Sequence, residues 1–452
     1  MTDETVASEA AGRPIRLLPW SQLIRLSLYW LGLSAIFGGM GPINQSRLVY
    51  MGIGDADQVG TNLAIIGIFG TLVAIVVQPT AGTISDYTMT RWGRRKPFIF
   101  IGSLLDVVFL FGLATSNTVL MIAVFLALLQ FSSNFAQGPF QGYVPDLVPA
   151  PQVGTASSLV GLMQVLGVII GSIVAALALA TSEYFIAIMV LAAIELATML
   201  SVVIRVDDGR TAKPRNGKPW RAIALEAWGT DILKERSYVW LVASRLFILM
   251  GSGTVTGFVI VYLSQALHLG KTDAAATFTL ILITIAIATV IVIVPAGRRS
   301  DKGGRKRDIW ISCVLAITAL LLMAIAPGVP VLLVAGVIFG AASGMFLAVD
   351  WALMTDIIPK ASAGRYMGIS NLATASSGLL AIAAAGPLSD FVNGISPGAG
   401  PRVAMILGAC WYVVGAFLLR PVDERRREDG PLPIGAIEVE PVDGLPAEAA
   451  PG

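Results

Sequence analysis

Twelve stretches of the 452-residue chain are apolar enough and long enough to cross a hydrocarbon layer of about 30 Å. They fall near 23–46, 61–84, 97–116, 118–142, 153–180 and 183–204, and again near 238–266, 273–297, 309–326, 330–355, 363–388 and 402–420. None shows the alternation of apolar and polar residues that a barrel strand needs, so each predicts a helix. Charged residues make up 13% of the chain, where a soluble domain carries about 25%. The expectation is an all-α membrane protein of twelve transmembrane helices in two pseudo-symmetric six-helix bundles. Its organisation reads as a cytoplasmic tail at 1–22, a first bundle at 23–204, a linker at 205–237, a second bundle at 238–420 and a tail at 421–452. The last segment holds Pro, Gly and Glu without periodicity and reads as disordered. The acidic start has no short apolar core with a cleavage site and reads as a retained tail.

Charge placement predicts the orientation. Lys and Arg gather before and at the start of the first stretch, at 85–96, 205–237, 298–308 and 357–365, and from Arg420 onward. The intervening loops carry Lys271 and Arg402. By the positive-inside rule both termini lie in the cytoplasm, in a multi-pass protein of the cell membrane. Cys313 and Cys410 sit inside apolar stretches, and His268 stands alone, so neither a disulfide framework nor a histidine metal cluster is expected.

The two sets of six also repeat in sequence. Gly82-x-x-x-Asp86 leads to Gly93-Arg94-Arg95-Lys96 after the second stretch, and Gly297-x-x-x-Asp301 leads to Gly304-Arg305-Lys306 after the eighth. Asp146-Leu-Val-Pro149 closes the fourth, and Asp356-Ile-Ile-Pro359 closes the tenth. At these landmarks the chain resembles the major facilitator superfamily. That resemblance implies an alternating-access transporter in which Asp86, Arg94, Arg95, Asp146, Asp301, Arg305 and Asp356 form the cytoplasmic gate. Read without it, the basic members anchor the stretches by charge alone.

A narrower resemblance covers the first half. Val77-Gln78-Pro79, Gly82, Ser85-Asp86, Arg91 and Gly93 through Ile99, with Asn134, Gln137-Gly138-Pro139 and Asp146-Leu147, are similar to the plant-type sucrose carriers, near the glycoside–pentoside–hexuronide symporters. This implies a sugar or glycoside substrate moved with a cation, in particular a proton. The carriers place their proton-accepting aspartate where Gln130 stands, and an arginine where Gln141 stands.

Gln130, Asn134, Gln137 and Gln141 share one helical face, and amides suit a ligand covered in hydroxyls. The same groups serve equally as hydrogen-bonding glue between helices. Ionisable groups within apolar stretches are costly and mark function. Asp106, Asp350 and Arg245 lie well inside; Arg47 and Glu195 read as lying near a membrane face. Since Gln130 cannot ionise, Asp106 and Asp350 are the coupling candidates, while Asp350–Arg245 and Asp106–Arg47 pairs would be structural. Trp351 beside Asp350, with Phe135 and Tyr29, offers an aromatic plate for a sugar ring. Gly167-x-x-x-Gly171 predicts close approach of a neighbouring helix.

The substrate-binding set is therefore Gln130, Asn134, Gln137, Gln141, Asp350, Trp351 and Arg245. The alternatives are a carrier or exporter of a drug, metabolite or organic acid, for which Arg47 and Arg245 would be unpaired binding groups, and a membrane sensor or enzyme. No cofactor, enzymatic motif or nucleic-acid partner is expected; the partners are a small molecule, a cation and the bilayer, with the protein a monomer.

Overall fold

The computed structural model describes residues 17–208, 215–226, 235–357 and 363–423. Residues 1–16 and 424–452, and parts of the linker, lie outside them. So do the side chains of Asp301, Trp351 and Asp356. Among the described residues, twelve helices are long and apolar enough to span a membrane. They are α1 (Trp20–Tyr50), α2 (Val59–Asp86), α3 (Lys96–Thr115), α4 (Val119–Gln141), α5 (Val153–Thr181), α6 (Tyr184–Arg205), α7 (Arg236–Val261), α8 (Lys271–Gly303), α9 (Arg305–Ile325), α10 (Val329–Ile357), α11 (Ala363–Ile395) and α12 (Gly400–Leu418). Hydrocarbon offers no partner for a free N–H or C=O, which is why each apolar stretch closes its hydrogen bonds within itself.

The helices overrun the apolar stretches. α1 and α8 each gain residues at both ends, and the expected 298–308 loop is mostly helix. A helix needs no apolar residue to continue once it emerges from hydrocarbon. What stops α8 is Gly304, at φ 87°, from which α9 starts at once. Where α7 ends, one wide turn at Tyr262–Ala266 continues it. Thr118 caps α4 by accepting the Met121 N–H at 3.2 Å.

The packing repeats with an offset of six. α1 lies against α5 and α6, α2 against α4, and α3 against α4 and α6; α7 lies against α11 and α12, α8 against α10, and α9 against α10 and α12. The seam between the halves is formed by α2 with α11, α5 with α8 and α1 with α7. The predicted close approach at Gly167 and Gly171 is present. A Cβ on either would collide with α1 backbone, at the carbonyls of Leu31 and Ala35. Beyond α6, the short helix Trp220–Glu226 rests on α2.

Candidate functional site

Four helices of the N-terminal half enclose a pair of acids. Asp106 comes from the middle of α3 and Glu195 from the middle of α6, and both are fully buried, at 0% exposure. Their carboxyl groups are within hydrogen-bonding reach of each other. α4 turns two consecutive hydroxyls onto Asp106: Ser132 Oγ donates to Oδ1, and Ser133 Oγ donates to Oδ2 at 2.9 Å. From α1, the Tyr29 hydroxyl donates to Glu195 Oε1 at 3.3 Å and lies 2.6 Å from Ser103 Oγ of α3. Glu195 Oε2 is buried with no donor from a side chain or the backbone.

Placing Glu195 near a membrane face was therefore an error of depth. The residue sits halfway along its stretch, and that position was the available signal. The Asp106–Arg47 pair does not form. Arg47 is indeed at the end of α1, but it turns inward to 2% exposure. It donates to the Leu113 carbonyl at 2.9 Å and to the Ser116 carbonyl. Both carbonyls lie at the C-terminus of α3, where a cation meets the negative end of the helix dipole.

The C-terminal half holds the expected ion pair. Arg245 Nη1 of α7 binds Asp350 Oδ2 of α10, with the two residues 4% and 2% exposed. Arg245 Nε donates to Thr374 Oγ1 of α11 at 3.2 Å. The pair thus ties three helices at one buried point.

The basic loop after α2 holds a network of ion pairs. Arg94 binds Asp146, and Arg95 reaches Asp86 at 3.0 Å and Asp146 at 2.6 Å. Arg95 also donates to the Pro139 carbonyl at 2.6 Å. An unanticipated member, Asp208, accepts the N–H groups of Arg95 and Lys96 at 2.5 and 3.0 Å. It caps α3 from beyond the end of α6, for α3 begins without a side-chain cap of its own. Burial lowers the Arg95 guanidinium from its ordinary value, against the pull of Asp86. Burial likewise raises Asp208, although the two backbone N–H groups oppose it. In the second half, Arg299 meets the buried Asp308 at 3.4 Å, and Lys306 donates to the carbonyls of Arg420 and Val422 at 2.9 and 2.6 Å. Arg305 opens α9 half-buried.

The four amides of α4 share a face as expected. Gln130 lies against Gly70 of α2, and Asn134 turns its amide back to the Gln130 carbonyl at 2.7 Å. Gln137 and Gln141 are half-buried. Phe135 stacks on Phe131 rather than standing alone as a plate, and Tyr29 serves Glu195.

At the end of the molecule opposite the basic loops, the halves are joined by hydrogen bonds. Asp390 of α11 accepts from the first N–H groups of α2, Gly60 at 2.9 Å and Thr61 at 2.5 Å. Gln45 of α1 donates to the Thr256 carbonyl at 2.8 Å and accepts from Ile260 N at 3.1 Å, both on α7. α2 and α11 come this close because Gly60 and Gly386 face each other; a Cβ on either would strike the other's backbone.

Residues 26–382 and 241–435 match the sequence model of the Major Facilitator Superfamily. The chain is 33% identical to the lactose permease of Leuconostoc lactis over 144 residues, which is 28% of this chain and 22% of the permease. It is 32% identical to a sucrose transport protein of Oryza sativa subsp. japonica over 124 residues, 23% of each chain. These alignments span under a quarter of either relative's length. A crystal structure of the nucleoside transporter NupG superposes with a TM-score of 0.68 at 15% identity, covering 88% of this chain and 98% of that one. At that identity the likeness speaks to the fold alone.

Proposed function

Because the chain belongs to the major facilitator superfamily, we propose that it moves a sugar or glycoside across the cell membrane by alternating access, coupled to a cation. The observation that carries the substrate class is the partial match to a lactose permease and a sucrose transport protein. A second observation weighs against an organic anion. Arg47 and Arg245 are already engaged, Arg47 with carbonyls at the end of α3 and Arg245 with Asp350, so neither is left to receive a carboxylate.

With the basic loops in the cytoplasm, the bonds of Asp390 and Gln45 hold the outer end closed, and the Arg94–Arg95–Asp86–Asp146 network belongs to the inner gate. In this reading the α4 amides, with Arg245, Asp350 and Trp351, contribute to the sugar path, and Asp106 and Asp350 are the coupling candidates. Asp350 already has a counter-ion, which leaves Asp106 the better placed of the two. The test is counterflow of labelled disaccharides in liposomes holding the purified full-length protein. Exchange of sucrose or lactose is the expected result. Exchange of organic anions or nucleosides, with none of either sugar, overturns the reading.

A further inference from the structure

We propose that Asp106 and Glu195 together form a one-proton site, and that the proton held between them is the coupling ion. The proposal rests on the reading of the chain as a cation-coupled transporter and adds a second acid to it. The geometry begins with burial: both carboxyl groups are at 0% exposure, so neither can turn to water. They lie within hydrogen-bonding reach of one another, and two ionised carboxylates have only acceptors to offer. A proton between them supplies the missing donor and leaves the pair with a single negative charge. That remaining charge is met by hydroxyls from three helices: Ser132 and Ser133 of α4 on Asp106, and Tyr29 of α1 on Glu195, with Ser103 of α3 behind it. Glu195 Oε2 is buried and accepts no hydrogen bond from the described side chains or backbone, so the pair keeps an acceptor open to a donor.

The titratable groups facing the pair from the packed helices are each other and the Tyr29 hydroxyl; the hydrogen bonds from α4 come from serines. No cation faces the pair from these contacts, in contrast with Asp350. A proton fits here better than sodium. A proton needs only the two facing carboxyl groups, whereas a metal ion would have to gather several further oxygens. The step balances simply. The dianionic pair takes up one H⁺ to give O–H···O⁻, and release leaves two carboxylates repelling across α3 and α6 with their hydroxyl donors retained. The same hydroxyls belong to α1, whose Gln45 bridges to α7, and to α4, which carries the amide face. Charging or discharging the pair therefore acts on the two helices that touch the seam and the proposed sugar path.

The full-length protein in liposomes allows two independent readouts. Infrared spectra titrated over pH, with no sugar present, read the carbonyl stretch of a protonated carboxylic acid. The wild type should show such a band, its titration shifted in Asp106→Asn or Glu195→Gln and the band lost in the double variant. An unchanged band and titration in the double variant overturns the site. Uptake of labelled sucrose under an inward proton gradient is the second readout. Either single variant should still exchange sucrose yet only equilibrate it. Accumulation by both single variants, or accumulation that follows sodium instead of protons, overturns the coupling role. Should an amide variant fail to fold, Tyr29→Phe keeps both acids and is expected to shift the band's titration and the pH optimum together. An unmoved titration and optimum in that variant overturn the site. A wild-type band with no sugar exchange sinks the sugar reading and leaves the proton site standing.

Discussion

Asp106 and Glu195 lie within hydrogen-bonding reach of each other in the N-terminal half, ringed by hydroxyls; Asp350 lies against Arg245 in the C-terminal half. The helices that carry these groups repeat their packing with an offset of six, so the scaffold around the two sites is the same. The chemistry is not. The C-terminal pair brings its own countercharge and is complete without an ion, whereas the N-terminal pair is one proton short of satisfied hydrogen bonding. A duplicated frame has thus been given one self-contained tie and one site that needs something from outside. The asymmetry, more than the frame, separates a structural tie from an ion site.

Removing one partner from each site should break the comparison most visibly. Arg245→Met leaves Asp350 buried without its cation and should destabilise the protein by about 3–5 kcal/mol. Asp106→Asn keeps a hydrogen-bonding group of the same shape beside Glu195 and should lose only about 1 kcal/mol. Chemical denaturation of the detergent-solubilised variants measures both. Equal losses would mean that the two sites are alike and that the division into tie and ion site is wrong. The double variant Arg245→Met/Asp350→Leu should recover most of the single loss, because an apolar pair of similar volume leaves no charge behind.

The seam offers a second, smaller contrast. Asp390 binds the N-terminus of α2 from the opposite half, where a carboxylate meets both free N–H groups and the positive end of the helix dipole. Asp390→Asn should weaken that closure by about 1 kcal/mol. Spin-label distances between the far ends of α2 and α11 should then show a larger open population. An unchanged distance distribution would mean that Gly60 against Gly386, rather than the carboxylate, holds the halves together.

Much of the frame could be read in the chain because hydrocarbon dictates composition. Apolar length gives the spans, and the recurring Gly-x-x-x-Asp and Arg landmarks give the duplication. The Arg94–Asp146 contact was within reach for the same reason, since its spacing recurs in both copies. The carboxyl pair was harder. Asp106 stood out, but whether Glu195 faces a headgroup or its neighbour depends on how α6 is rotated, and periodicity alone does not give that rotation. The α4 amides show the same limit: their shared face was evident, its direction toward Gly70 of α2 was not. Asp208 left still less trace, because it caps α3 from 112 residues further along the chain.

Asp208 also supplies the smallest contrast, between two influences on one carboxylate. The N–H groups of Arg95 and Lys96 favour its charged form, while burial favours the neutral one, and burial prevails, holding it above its ordinary 3.8. The folded state therefore binds this proton more tightly than the unfolded chain does. Its contribution is greatest below the unfolded value and is lost as pH rises through the window between 3.8 and the raised folded value. Comparing melting temperature against pH for wild type and Asp208→Asn isolates the effect from the other carboxylates. The wild type should lose stability relative to the variant across that window. A relative gain would mean that the cap on α3 outweighs burial, and that Asp208 works as a fixed negative charge beside Arg95.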